Sequence, residues 1–229
     1  LSKVENIFLT HLHSDHISGL SDLWLTSWIW QRQHPLRLTG PVGTLALSQH
    51  LELAHQADLL YRTKNTNLNS DFFPILAKEI VSEGIIYQHD GIKITAFLVN
   101  HYPVEPAYGY RIDSGEQSIV ISGDTTFSKN LIKYAKGADL LIHEVAAANS
   151  ELLAGNPRLQ KVISYHTTPE QAAQIFSATE PKAAVFNHVL LFGINERAVL
   201  DATQESFDGD VRMGYDLMKI GVGDELIFY

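Results

Sequence analysis

The stretch Thr10-His11-Leu12-His13-Ser14-Asp15-His16 gathers three histidines and one aspartate. It follows the apolar run Ile7-Phe8-Leu9, which predicts a strand that ends just before it. In extended backbone, residues two apart face the same side, so His11 and His13 project together. A helix is predicted to begin directly after this pair, and it turns the following aspartate and histidine to another side while keeping them close. One short segment can therefore serve two adjacent metal ions.

Three more potential ligands each follow an apolar run that predicts a strand: His101, Asp124 and His188. Open α/β sheets collect their active-site residues at the carboxyl ends of strands. Taken singly, each residue has an ordinary structural explanation, either a buried histidine or an aspartate in a turn. Together with residues 10–16 they favour one metal site.

Cysteine is absent, so any metal must be held by imidazole and carboxylate groups, which suits zinc, iron or manganese. A soluble protein without cysteine is compatible with either the cytoplasm or the periplasm. No apolar run approaches the roughly 18 residues of a membrane span. The chain starts without an initiator Met or a leader, which suggests a fragment or a processed product.

Strand and helix patterns alternate along the 229 residues and predict one α/β domain over residues 1–229. The predicted helices include 17–30, 44–60, 129–136, 169–178 and 196–205. Two hairpins are predicted across Asp90-Gly91 and Ser114-Gly115. Residues 151–165 are predicted to be irregular, with a lid as one interpretation. Three tryptophans, Trp24, Trp28 and Trp30, either pack the first helix against the sheet or form an apolar wall of the substrate pocket.

In their order along the chain, these residues resemble the signature of the metallo-β-lactamase superfamily, and more narrowly its ribonuclease Z and arylsulfatase-like branch. The residues that carry the resemblance are 10–16, His101, Ser122-Gly123-Asp124-Thr125, His143-Glu144 and His188. The resemblance covers essentially the whole chain. It implies an αββα sandwich whose N-terminal strands are missing from this chain.

The resemblance also implies two zinc ions per chain, with manganese or iron as alternatives. The first zinc would be held by His11, His13 and His101, and the second by Asp15, His16 and His188. Asp124 would bridge the two ions. The chain departs from the family in lacking the long arm that grips transfer RNA, because only a tight turn separates Arg111 from Ser118. It also has Asn187 where Thr or Ser is usual.

Two divalent ions that share a water lower its pKa and stabilise the charge that develops on the attacked centre. Asp15 is expected to orient that water or take its proton, in addition to binding metal. His166, which is not required as a ligand, is the candidate general acid, and a surface or capping histidine is the alternative. Glu144 is expected to hold the His166 ring, unless the His143-Glu144 pair is purely structural.

These observations predict a binuclear-zinc hydrolase that cleaves a small ester, such as a phosphodiester or sulfate ester. A lactonase or β-lactamase, a transfer-RNA 3′-processing endonuclease and a non-hydrolytic di-iron redox protein are the alternatives. The net charge of −9, from 17 basic and 26 acidic residues, argues against a nucleic-acid partner held by a basic face. The expected partner is therefore a small-molecule ester, and binding to nucleic acid or to a membrane is not expected. Association into a homodimer is compatible with the sequence.

Overall fold

A computed structural model describes all 229 residues, and its contacts divide the chain into two compact units, residues 1–81 and 82–229. Each unit has its own sheet and its own buried core. The single domain over residues 1–229 stays a prediction.

The first unit contains a parallel three-stranded sheet in the order β1-β2-β3. Its strands are β1 (Asn6–Phe8), β2 (Leu36–Gly40) and β3 (Ile75–Glu79). Its helices are α1 (Ser14–Ile17), α2 (Leu20–Ile29), α3 (Thr44–Ala54) and α4 (Gln56–Asn65), followed by a 3₁₀ turn at Ser70–Phe72. Parallel strands place all three carboxyl ends at one edge, and residues 10–16 follow β1 at that edge.

Trp24 and Trp28 are fully buried in the core of the first unit. Their indole N–H groups donate hydrogen bonds to the carbonyls of Phe73 and Asn69, so the polar edge of each ring is satisfied. Trp30, by contrast, is 64% exposed. The core-packing interpretation therefore holds for the first two tryptophans, and the third lies on the surface of its unit.

The second unit contains a seven-stranded mixed sheet in the order β10-β9-β8-β7-β6-β5-β4. Its strands are β4 (Gly84–His89), β5 (Ile92–Val99), β6 (Ala107–Ser114), β7 (Gln117–Ile121), β8 (Leu140–Ala148), β9 (Ala183–Phe192) and β10 (Val211–Met213). The pairs from β4 to β7 are antiparallel, and those from β7 to β10 are parallel. A separate hairpin is formed by β11 (Ile220–Val222) and β12 (Leu226–Phe228).

The helices of the second unit are α5 (Lys129–Ala135), α6 (Ser150–Ala154), α7 (Pro157–Ile163), α8 (Pro169–Thr179) and α9 (Glu196–Gln204). Phe97, Phe176 and Phe186 are the largest fully buried residues of its core. At the start of α8, Thr168 and Gln171 form a reciprocal capping box, and Pro169 occupies the first turn. This confirms the predicted start of that helix. No helix in the structure is both long and apolar enough to cross a membrane.

The predicted hairpins are confirmed, and their turns explain why. Asp90 and Gly91 have φ angles of 48° and 78°, which is the left-handed backbone that an Asp-Gly turn tolerates. Gly115, with a φ of 60°, closes the β6–β7 hairpin, in which Ser114 pairs with Gln117. The segment between Arg111 and Ser118 is therefore a two-residue turn flanked by strand.

Other predicted boundaries are wrong for local reasons. The helix predicted over 17–30 is interrupted between α1 and α2 near Gly19, a residue that weakens a helix. The helix predicted over 44–60 divides at His55 into α3 and α4. The irregular segment predicted over 151–165 is helical instead, because Asn149 and Asn156 cap α6 and α7. Strand β3 was not expected, since only its first residue, Ile75, is buried.

Candidate metal centre

The histidine motif, residues 10–16, turns from strand into helix at His13. His13 has extended backbone, with φ −63° and ψ 147°, and is the residue before the first turn of α1. Its Nδ1 lies 3.0 Å from Nε2 of His11, which is fully buried. Two nitrogens bound to one tetrahedral zinc at about 2.0–2.1 Å stand about 3.3 Å apart. The spacing of this pair therefore fits two ligands of one ion.

The last two residues of the motif lie on α1. Nε2 of His16 is 3.4 Å from Oδ2 of Asp15, whose side chain is largely exposed. The imidazole rings of His11 and His16 have centroids 4.2 Å apart. The four donors thus gather beyond the carboxyl end of β1, as the spacing predicts, with Asp15 at the surface of its unit.

Asp124 is the centre of a second set of donors. It follows β7 and is buried, and its Oδ2 lies 3.9 Å from Nε2 of His101 and 3.6 Å from Nε2 of His188. One carboxylate oxygen therefore lies within 4 Å of two imidazole nitrogens. The chemistry of this donor set fits a transition-metal centre, because imidazole and carboxylate are the ligands that zinc, iron and manganese accept.

His101 is oriented by a backbone carbonyl. Its Nδ1 lies 3.0 Å from the carbonyl oxygen of Tyr165, which can only accept a hydrogen bond. The proton is therefore assigned to Nδ1, and Nε2 keeps its lone pair toward Asp124. A ring held in this tautomer is prepared to bind a cation.

His188 reaches the site through a β-bulge, and the prediction that it follows its strand is wrong. It lies within β9, between Asn187, which pairs with Glu144, and Val189, which pairs with Val145. It is the extra residue of the bulge and has a φ of 45°, a left-handed conformation that is uncommon outside glycine. The bulge redirects its side chain, an effect that a strand pattern alone does not reveal.

Glu144 connects three segments beneath these donors. Its Oε1 accepts hydrogen bonds from the backbone N–H of Thr125 at 3.2 Å and of Thr167 at 2.9 Å. The same oxygen lies 3.4 Å from Nδ1 of His166. Burial raises the pKa of Glu144 to about 7, although His166 and the N–H of Thr167 act in the opposite direction. Glu144 is thus a buried anchor for the residues that follow β7 and precede α8.

His166 is 8% exposed, so it is not a surface histidine. Its ring centroid lies 5.3 Å from that of His101 and 5.7 Å from that of His188. Donor atoms of Asp124, His166 and His188 lie within 4.8 Å of one another. The structure therefore brings His166 to the donor set itself, where it could ligate metal as well as carry a proton. The role as a metal ligand was not predicted from the sequence.

His143 is completely buried beside the edge of the Phe176 ring, and its Nδ1 lies 2.7 Å from the carbonyl oxygen of Glu144. Burial lowers the pKa of His143 to about 4, so the ring is neutral at neutral pH. A buried aromatic ring and a backbone carbonyl are the neighbours expected of a histidine that packs in the core. Within the His143-Glu144 pair, only Glu144 contacts residues at the donor set.

Comparison with known proteins shows the family of this chain. Residues 1–189 match the family described as the beta-lactamase superfamily domain. The chain belongs to the metallo-β-lactamase superfamily. The chain is 33% identical over 220 residues to ribonuclease Z of Mycobacterium sp. (strain KMS), covering 94% of the chain and 77% of the relative. It is 31% identical over 223 residues to a putative ribonuclease Z of Mycobacterium tuberculosis, covering 94% of the chain and 98% of the relative.

Solved structures share the fold. Human tRNase Z, short form, superposes with a TM-score of 0.66 and 22% identity over 95% of this chain and 78% of that protein. The metallo-β-lactamase fold protein YhfI from Bacillus subtilis gives a TM-score of 0.64 and 20% identity, over 92% and 74%. The predicted fold is therefore confirmed, and the chain is a metal-dependent hydrolase of this superfamily.

The expectation of a small-molecule ester and no nucleic acid is wrong. Relatives that cover nearly the whole chain are named ribonuclease Z, and their identity to this chain reaches 33%. The error has a physical cause. Net charge sums over the entire surface, whereas a phosphodiester meets the local potential of one site, where bound cations outweigh distant carboxylates. A charge of −9 therefore does not exclude an RNA substrate.

Proposed function

We propose that this chain is an endoribonuclease that hydrolyses a phosphodiester in RNA, and specifically that it processes the 3′ side of transfer-RNA precursors. The observation that carries the proposal is its 33% identity to ribonuclease Z over 94% of the chain. The donor sets around His11 and Asp124 support it, because hydrolysis of a phosphodiester is chemistry that paired metal ions perform.

The proposed ligands are those that the family resemblance assigns, with two zinc ions per chain. They are His11, His13 and His101 for one ion, Asp15, His16 and His188 for the other, and Asp124 between them. Bound metal would activate water and neutralise charge on the scissile phosphate. In the second unit, the approach of Asp124 Oδ2 to both His101 and His188 supports the shared role of this carboxylate.

The remaining catalytic roles fall to three side chains. Asp15, exposed at the start of α1, orients the attacking water and accepts its proton. His166 presents Nδ1 to Glu144, which leaves Nε2 as the nitrogen that protonates the leaving ribose oxygen. The Glu144 carboxylate orients the His166 ring and favours the protonated form of that ring. Hydrogen bonds from the backbone N–H groups of Thr125 and Thr167 hold the carboxylate in place.

A groove beside His101 offers a place for a nucleotide next to the site. The cavity has a volume of about 310 Å³ and is lined by residues that include Tyr102, Lys161 and Tyr165. Tyr102 is 68% exposed, and Nζ of Lys161 lies 5.3 Å from the centre of the Tyr165 ring. Exposed aromatic rings stack on unpaired bases, and a lysine attracts phosphate. We assign this Tyr102 groove to the RNA substrate.

Incubation of the metal-loaded protein with a 3′-extended precursor transfer RNA tests the proposal. We expect cleavage at one position near the end of the acceptor stem at low enzyme concentration, while the mature transfer RNA stays intact. Bis(p-nitrophenyl) phosphate serves as a control that the centre is active. Rapid hydrolysis of this diester with no cleavage of the precursor, or random cleavage of both RNAs, would contradict the assignment.

A further inference from the structure

Arg32, in the first unit, is a buried arginine that the hydrolytic site does not use. It lies between α2 and β2, and only 1% of it is exposed. Its Nε donates to Oγ of Ser27 at 3.0 Å, and its Nη1 donates to the carbonyl of His34. Its Nη2 is buried and has no hydrogen-bond partner. One end of the guanidinium group is therefore satisfied, and the other is not.

The charge of Arg32 is also not balanced by a carboxylate. No ion pair involves Arg32, and Glu5, the acid that approaches His34, is engaged at 3.7 Å with His34 and with Arg37. Burial lowers the pKa of Arg32, as expected for a cation removed from water. Burying a charge without a partner costs several kcal/mol in order of magnitude. A ligand that supplies negative charge would remove that cost.

A cavity of about 270 Å³ lies at this position, and Arg32 is part of its wall. Four residues with amide side chains line it as well: Gln31, Gln33, Asn67 and Asn69. Trp28 and Phe72 provide apolar wall, and no acidic residue lines the cavity. A cation surrounded by amides and apolar rings, without carboxylates, is the composition expected of a pocket for an anion.

This Arg32 cavity is separate from the histidine motif within the same unit. Strands β1 and β2 are parallel, with Asn6 opposite Arg37 and Phe8 opposite Thr39. Arg32 precedes the first residue of β2, whereas the histidine motif follows the last residue of β1. The two features therefore lie at opposite ends of the sheet.

We propose that the Arg32 cavity is a binding site for a small phosphate-bearing anion, distinct from the hydrolytic centre. The guanidinium group of Arg32 supplies the positive charge of the cavity wall, and amide N–H groups of the wall donate to the phosphate oxygens. The volume fits a phosphate group with a small organic substituent, and it is too small for a folded nucleic acid. The ligand is therefore a small anion bound by the first unit and not the RNA substrate.

The test measures binding of inorganic phosphate to the metal-loaded protein by calorimetry and by thermal melting, with chloride at matched ionic strength as the reference. Arg32→Met removes the buried charge. Arg37→Met, which removes a half-exposed arginine of the same unit, is the matched control. Phosphate bound at the metal centre contributes equally to all variants, so the difference between these two variants reports on the cavity.

We expect phosphate affinity at this site to fall at least tenfold in Arg32→Met and to remain unchanged in Arg37→Met. Asn67→Asp provides a second test at an exposed position where the fold is not at risk. Its carboxylate supplies an internal counter-ion, so the melting temperature should rise without phosphate and should no longer respond to it. Equal phosphate responses in all four proteins, or no response in the unmodified protein, would overturn the proposal.

Discussion

In the histidine motif, four donors lie within residues 10–16, whereas the donors around Asp124 and Glu144 come from five separate segments of the second unit. The motif is held by the geometry of one strand and one short helix. The second set depends on a bulge at His188 and on hydrogen bonds that join distant segments through Glu144. Substitutions of His11, His13 and His16 should therefore act on metal binding, whereas a substitution of Asp15 should also impair activation of the water. Substitutions in the second set should separate metal binding, proton transfer and substrate binding.

The largest effect is expected for Asp124→Ala. This change removes the carboxylate that faces both His101 and His188, so metal content should fall and activity should drop by about 10⁴-fold or more. Elemental analysis beside the precursor assay measures both quantities, with close to two ions expected in the unmodified protein. Asp113→Ala, at the far end of β6, is the control and should retain both. Full metal content with full activity in Asp124→Ala would remove Asp124 from the site.

His166→Ala should lower kcat by about 10²–10⁴-fold, the usual range for losing a general acid. Metal content should stay at the unmodified level, and the loss should shrink for substrates with good leaving groups such as nitrophenolate. Glu144→Gln should show the same leaving-group pattern with a smaller loss, because it weakens the orientation of His166 without removing the ring. If His166→Ala loses metal instead, His166 is a ligand and the general-acid role is wrong.

Lys161→Ala should raise KM for RNA by about three- to tenfold and leave hydrolysis of bis(p-nitrophenyl) phosphate unchanged, because only RNA extends into the Tyr102 groove. The salt dependence of RNA binding should also weaken. Lys133→Ala is the matched control, since Nζ of Lys133 lies 4.9 Å from the Tyr134 ring but outside the groove. Equal effects of the two substitutions would show that only overall charge matters.

The smallest effect concerns stability. Burial alone would raise the pKa of Asp139, but Lys182 at 2.7 Å and the backbone N–H of Ser118 outweigh it, so the pKa is lowered. A carboxylate with a lowered pKa stabilises the fold at pH values above its unfolded pKa, and this contribution is lost as pH falls through its folded pKa. Asp139→Asn should lower the free energy of unfolding by about 1 kcal/mol at pH 7. The stability of this variant should also fall less steeply as the pH is lowered.

Thermal melting across pH 2–7 measures this effect. Asp210→Asn serves as the comparison, because Asp210 pairs with Arg212 at an exposed position and should change stability little. If the melting temperatures of Asp139→Asn and the unmodified protein fall in parallel as the pH is lowered, Asp139 does not contribute to the pH dependence of stability.

The sequence by itself determined the elements whose cause is local. Turn chemistry placed the hairpin at Asp90-Gly91, the Thr168 cap placed the start of α8, and alternation after β1 placed His11 and His13 on one side. The spacing also predicted His101, Asp124 and His188 as donors, because each follows an apolar run. The family resemblance supplied the fold, but composition gave the wrong substrate class, since net charge carries no information about one site.

Only the tertiary structure decided how the second donor set is arranged. The bulge at His188 depends on the register between β8 and β9, and the burial of Glu144 depends on three segments that are distant in sequence. The unpartnered Nη2 of Arg32 is likewise invisible in a sequence pattern, where an arginine next to glutamines resembles an ordinary surface residue. Periodicity reports which face of one element is apolar, whereas burial, charge balance and ligand geometry depend on which elements pack together.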